Sequence, residues 1–493
     1  MTLKKAKTAL FVIHRWLGIG MCLLFAMWFA TGIVMMYVEY PELTTTERLA
    51  NLPALKTAQI QLSPFEAAKS VTESVFSGLK LTTVLGRPSY RFTTPSGQDH
   101  FVFADSGELL TSVDEKQALL AATQSGFHLS DETPSHAGLV DLDQWTLSAG
   151  LDKHRPLHKI ELNNASRGVL YISSSSGQVV RDTAKGERFW NWLGSTLHWI
   201  YPAILRQNNS LWRDVIVYVS LIAIMSVVSG AVIGFMRIRI RNPYRGGKDC
   251  SPYKGWMKWH HILGLLTLAL ISTYIFSGLM SMGPWGVFSS NVSPRGQLAR
   301  YAGDLTLRLS NLTVPELVAP NEPIKEIHWH QIQSQPYYSL VRSATDRVAG
   351  DSSTKKTQWL STRIEKAIPS LIPSATLTSS ELITEQDDYY YSRHNRYRPL
   401  PVYRVKFDDP NASWFHIDAA NGEVLNRVDN ASRRERWLYN GLHSLDFQLL
   451  WKHRPLWDII VIALSLIGFG FSVTSVVVGW RRLTSSAKVN KIE

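Results

Sequence analysis

The stretches His14-Arg-Trp-Leu-Gly18 and His260-His-Ile-Leu-Gly264 stand 246 residues apart, and each opens a long apolar run. The same shift lays Thr31-Gly32 on Ser277-Gly278. A shift of 245 lays Trp192-Leu193, Leu197-His198 and Trp212 on Trp437-Leu438, Leu442-His443 and Trp457. It also lays Ser220-Leu-Ile on Ser465-Leu-Ile, Gly234 on Gly479 and Arg237 on Arg482. Self-similarity at a fixed offset is the mark of a duplicated unit. Each half reads as an apolar helix, a polar domain and a second apolar helix.

Four runs carry no Lys, Arg, Asp or Glu and are long enough to cross a bilayer core, which takes roughly 20 helical residues. They are residues 16–38, 215–236, 262–288 and 459–480. The first is too long for a signal peptide and has no small-residue cleavage site after it, so it reads as a retained helix. The mean hydropathy of −0.07 averages these runs with long polar stretches. The 493 residues hold 2 Cys and 17 Trp, which excludes a disulfide framework and a disordered chain. Cys22 lies in a span and Cys250 in a loop, so no disulfide is expected.

The net charge of +12 is mostly topological. Lys4, Lys5, Lys7 and Arg15 flank the first span. Arg237, Arg239, Arg241, Arg245, Lys248, Lys254 and Lys258 fill the loop between the second and third, and Arg481 and Arg482 follow the fourth. Basic flanks mark the cytoplasmic side. Both termini are therefore expected inside and two large polar regions outside, in a bacterial periplasm, with the chain in the inner membrane. A nucleic-acid partner loses its main support, and the bilayer takes its place.

The expected plan is a membrane α+β protein: a four-transmembrane-helix bundle with an internal two-fold repeat and two periplasmic α+β domains. Its segments are helix 1 (1–38), exported domain 1 (39–187), an interfacial helix plus helix 2 (188–236), a basic cytoplasmic loop (237–258) and helix 3 (259–288). Exported domain 2 (289–435), an interfacial segment plus helix 4 (436–482) and a cytoplasmic tail (483–493) complete it. The halves share one orientation, so their symmetry axis should follow the membrane normal and equivalent residues should meet at equal depth. In the first exported domain, Ser63-Pro-Phe-Glu66 is a capping box that predicts a helix over 63–76. Strands around 90–92 and 101–103 precede a turn at Asp105-Ser-Gly-Glu108, and a second helix spans 114–124. The second domain predicts a helix over 357–368 and a strand, turn and strand over 415–425, while 289–323 and 346–355 read as loops.

Fifteen His are present, and the repeat singles out four. His14 and His260 lie at the cytoplasmic ends of their helices; His198 and His443 lie just outside the second and fourth spans. Imidazoles at such depths are costly unless bonded or ligated, which makes function the default reading. Facing neutral imidazoles in a helix bundle suit axial ligation of a metalloporphyrin, and two His per iron favour electron transfer over oxygen chemistry. Gly18 follows His14 by one turn and Gly32 by five, and Gly264 and Gly278 repeat this from His260, leaving clearance for a flat ring. Small-residue helix packing is the competing account of these glycines. His261 rivals His260, although the repeat places it on Arg15, where a cation meets a propionate. Zinc or copper would need more ligands than two per layer.

These stretches resemble the PepSY-associated transmembrane family of bacterial inner-membrane proteins. The matching pieces include His14-Arg-Trp-Leu-Gly18, Trp192-Leu-Gly before His198-Trp-Ile-Tyr-Pro202, Leu442-His443-Ser-Leu-Asp446 and Arg454-Pro-Leu-Trp457. PepSY-like turns occur at Asp105-Ser-Gly-Glu108 and Asn421-Gly-Glu423, whereas Ser175-Ser-Gly-Gln178 lacks the acidic residue. The resemblance implies two periplasmic PepSY-type domains and a dihaem ferric-siderophore reductase. The expected cofactors are two haem b groups, held by His14 with His260 and by His198 with His443, with an Fe(III) chelate, a ferric siderophore for instance, as substrate. No flavin or nicotinamide motif is visible, so a separate donor is expected: a cytoplasmic flavin or NAD(P)H carrier, or quinol. The alternative is a redox-inactive anchor whose PepSY domains bind peptides or regulate proteases. His328-Trp-His330 and the Tyr389 to His394 run, with Arg393 and Arg396, are weaker candidates for substrate contact. Trp190, Trp192 and Trp199 read first as interfacial anchors.

Overall fold

The computed structural model describes residues 3–128, 132–244, 249–290, 292–303, 307, 309–315, 323–350, 358–393 and 396–489. Arg245, Lys248, Thr357 and His394 lie outside the described residues. The chain forms two compact units: one of residues 1–40, 187–289 and 434–493, the other of 41–186 and 290–433.

The first unit is helical. Helices α1 (Leu3–Met35), α2 (Asn209–Arg237) and α5 (Leu456–Val489) contain three stretches long and apolar enough to cross a membrane. The third expected span is broken. Helices α3 (Gly255–Leu266) and α4 (Leu268–Met280) meet at Thr267 with a bend of 68° and pass the same test only when taken together. The Thr267 hydroxyl donates to the Leu263 carbonyl at 2.8 Å, and such i−4 back-bonding bends helices. Met21, Phe25 and Phe29 of α1 pack with Ala223 of α2 and with Ile271 and Ile275 of α4. Short π-helical turns, Trp192–Thr196 and Arg436–Gly441, lead into His198 and His443.

The second unit holds three antiparallel sheets. The largest has seven strands, β1 (Gly78–Val84), β2 (Arg87–Thr93), β3 (Asp99–Phe103) and β4 (Leu109–Leu110) from the first polar region. Its others are β9 (Glu326–Ile332), β10 (Gln335–Val341) and β11 (Arg347–Gly350) from the second. The regions meet where β1 pairs with β9, Leu79 opposite Trp329 and Leu81 opposite Ile327. The two stretches expected as separate domains therefore share one sheet and one compact unit. Strands β5 (Ser135–Val140), β6 (Leu157–Glu161), β7 (Val169–Ser173) and β8 (Val179–Thr183) form a second sheet, packed against helix Glu115–Gln124. Strands β12 (Leu377–Ile383), β13 (Val402–Phe407), β14 (Trp414–Asp418) and β15 (Val424–Val428) form the third, packed against helix Gln358–Ala367.

The helix expected over 63–76 stops after Pro64–Ala68. Its capping box forms as read, but the Ser70 hydroxyl donates to the Gly107 carbonyl and draws the chain away. The loop expected over 289–323 contains a helix, Pro294–Ala302, capped by Ser293 with Pro at its first position. The same Ser-Pro signal was decisive at Ser63.

Candidate functional site: two histidine pairs in the helical unit

The four histidines singled out by spacing meet in two pairs. The rings of His14 and His260 are 6.4 Å apart between centres and inclined by 29°. Those of His198 and His443 are 6.1 Å apart and inclined by 74°. No group of three or more His, Cys, Asp or Glu lies close enough to hold a bare metal ion among the described residues.

Each ring is held at Nδ1 by a helix. His14 Nδ1 lies 3.2 Å from the Ser226 carbonyl and 3.2 Å from Ser229 Oγ on α2. His260 Nδ1 lies 3.4 Å from Thr474 Oγ1 and 3.2 Å from Ser475 Oγ on α5. His198 Nδ1 lies 2.9 Å from Thr31 Oγ1, and His443 Nδ1 lies 3.0 Å from Ser277 Oγ. These contacts fix the tautomer. The Thr31 and Ser277 hydroxyls each donate at 2.7 Å to a carbonyl four residues back, Met27 and Thr273, so their oxygens accept from the imidazole. Thr474 donates to Phe471 O at 2.6 Å and is likewise an acceptor outward. A carbonyl, as at Ser226, accepts only. All four imidazoles therefore carry their proton on Nδ1 and a lone pair on Nε2.

Glycines shape the surroundings. A Cβ at Gly230 would stand 2.6 Å from His14 Cε1, so α2 admits that ring only because residue 230 has no side chain. At Gly32 and Gly278, read as clearance for a flat ring, the nearest neighbours are the imidazoles of His198 and His443, each 3.6 Å from a Cβ. The inner glycines differ: Gly18 faces open space, and a Cβ at Gly264 would meet Phe471 at 3.0 Å. Phe471 stacks on His260 at 5.2 Å with the rings 17° apart.

His261 is buried, with Ser251 Oγ 2.8 Å from Nδ1 and the Gly234 carbonyl 3.0 Å from Nε2. Both nitrogens are thus spent on tying the preceding loop to α2, which leaves His260 as the member of the dipeptide with a lone pair to offer. Trp190 and Trp192 are exposed, and Trp199 packs on Tyr40 and Tyr201. The Trp28 indole donates to the His198 backbone carbonyl at 2.8 Å.

In the β-rich unit, His328 and His330 share one face of β9, with ring centres 6.1 Å apart. In the tyrosine-rich run, Tyr390 is buried and stacks on His416 at 4.6 Å, and Tyr389 packs on Trp414. Arg393 and Arg396 form a backbone bridge. That run is largely spent on holding its loop to the third sheet.

Apolar helices carrying the histidine pairs, together with a separate β-rich unit, define a membrane protein of α+β type. Residues 11–336 match the PepSY-associated TM region family, and the chain belongs to it. His14, His198 and His260 fall inside the match and His443 beyond it. No curated protein matches the chain.

Sequence spacing missed the anchors on the facing helices, Ser226, Ser229, Thr474 and Ser475, because hydroxyls are common in spans. Thr31 and Ser277 were visible as a repeated hydroxyl beside each glycine, but not as bond partners.

Proposed function

We propose that this protein is an inner-membrane haem reductase that carries electrons across the bilayer to ferric iron outside, a ferric siderophore being the expected acceptor. The reading takes α3 and α4 as one broken span, giving a four-helix bundle of two like-oriented halves with both termini cytoplasmic. His14 with His260 would hold one haem b, and His198 with His443 a second. Bound between imidazoles, haem iron supplies one-electron chemistry without an open coordination position.

The observation that carries this reading is the state of the four rings. Ligating histidines give their second N–H to a protein acceptor and present the other nitrogen to the metal. All four rings do the first and have the tautomer for the second. The spacing fits as well. Ring centres about 6 Å apart leave room for one metal that the two Nε2 atoms would hold at about 2 Å each. The pairs stand at 6.4 and 6.1 Å.

The chain's own residues would orient the ligands and hold their protons at Nδ1, in a bundle whose apolar core includes Phe25, Phe29 and Ile275. Electrons enter from a separate donor, a flavin or NAD(P)H carrier or quinol. The acceptor is an oxygen-rich Fe(III) chelate, which loosens on reduction because Fe(II) is less charged and softer.

The test is optical and chemical. Purified protein made with ample haem should show a Soret band and sharpened α and β bands on reduction, and the prereduced form should be oxidised by a ferric siderophore. His14→Ala and His443→Ala should each lower haem content from two per chain toward one. A colourless protein refutes the haem reading. Unchanged haem in both variants refutes the ligand assignment.

A further inference from the structure

The sheet shared by the two polar regions turns a polar face away from its core. Leu79, Leu81, Ile327 and Trp329 point into the apolar cluster. Lys80, Thr82, Glu326, His328 and His330 alternate with them and point to the other side. In register, Lys80 stands opposite His328 on β9, and His328 opposite Ser339 on β10.

Ionic groups on and beside this face are mostly satisfied. Glu326 takes Arg48 at 2.6 Å and His328 Nε2 at 2.8 Å, Arg91 takes Asp99 at 2.7 Å, Lys153 takes Asp99 at 3.0 Å, and Arg347 faces Asp418 at 3.6 Å. Lys80 is the exception: its ammonium makes no hydrogen bond or ion pair among the described residues. Glu326 and Glu423 act on it only at longer range, and burial pulls it below its ordinary value. The side chain is only partly exposed and its ammonium has no protein counter-charge in contact among the described residues, so its charge is available to an anion that reaches this face. Beside it, His330 Nε2 lies 2.8 Å from Ser339 Oγ, while its ring rests on Tyr337 at 5.2 Å. The Ser339 hydroxyl has a hydrogen to give to Nε2, and in that tautomer His330 presents an Nδ1–H. Metal binding does not account for the cluster, because no set of three ligand side chains converges here among the described residues.

We propose that Lys80 and His330 form a binding site for the carboxylate of a small polyanion, with His328, fixed by Glu326, as its side wall. The Lys80 ammonium supplies the charge and His330 Nδ1–H the second hydrogen bond. The site stands apart from the haem reading, since anion binding and the haem spectrum are separate measurements on one sample.

Citrate is the probe, measured by equilibrium dialysis of labelled citrate against full-length protein in detergent at pH 7. Saturable binding near one per chain, weakened by added salt, is expected, with Lys80→Met losing at least tenfold in affinity at an unchanged unfolding midpoint. No saturable binding to the wild type, or equal affinity in Lys80→Met, overturns the proposal. Should that variant not fold, wild-type protein decides: citrate must shield Lys80 from acetylation by an amine reagent, and equal labelling with and without citrate overturns it.

Discussion

Hydroxyls near the ends of apolar helices serve here as proton-fixing acceptors. Thr31 and Ser277 have their own hydrogens committed to the carbonyl four residues back, so they accept from an imidazole and cannot donate to it. Thr31→Val keeps the shape and removes the acceptor. With the Nδ1 proton of His198 unpartnered, the outer haem of the proposed function should be lost at least about tenfold faster to a scavenger such as apomyoglobin, the usual scale for a lost outer-shell partner. An unchanged transfer rate would count against the role given to Thr31. At this scale the sequence was readable where types repeated, as at the four histidines. It was silent where an ordinary serine or threonine became special only through what faced it.

Element ends were legible where capping chemistry is local. Asp114 caps helix Glu115–Gln124 by accepting from the Gln117 N–H at 2.8 Å, while the Gln117 side chain accepts from the Asp114 N–H at 2.9 Å. Asp114→Ala should therefore cost about 1 kcal/mol, read as reduced hydrogen-exchange protection of that helix. The bend at Thr267 was not legible, since residues 262–288 keep an even apolar composition and a hydroxyl turned onto its own helix leaves no mark in hydropathy. Nor was the union of β1 with β9, because the pairing of Leu79 with Trp329 joins residues 250 apart and each strand alone reads as the edge of a local hairpin.

Across the whole molecule, the β-rich unit should be acid-sensitive. Burial, reinforced by nearby cations, lowers His154 to about 4 and His416 to about 3; burial with His328 and Lys80 lowers His330 to about 3. Depressed histidines contribute stability that is complete above their unfolded value of about 6.5 and is lost as pH falls toward the folded values. Asp182, raised to about 6 by burial and by Glu47, works in the opposite sense between pH 6 and 4 and offsets about one of the three. The net slope is up to about 3 kcal/mol per pH unit between pH 6 and 4. Burial would raise Asp99, but bonds from Arg91, Thr93 and Lys153 outweigh it and hold it at about 2, so its share is lost only below pH 4. Thermal unfolding midpoints of the full chain should fall steadily from pH 6.5 to 4. A flat profile over that range would contradict the burial of these rings as neutral species.

The β1–β9 seam also bears on how such a chain is assembled. Its first half, made alone, would present β1 as an open edge with Leu79 and Leu81 lacking their cover from Ile327 and Trp329. Unpaired edges of this kind invite wrong partners. The second half is thus an internal chaperone for the first: until β9 is translated, the earlier strands have no native neighbour on that side. Two fragments split between α2 and α3 should consequently be extracted from membranes as folded, protease-resistant protein only when made together.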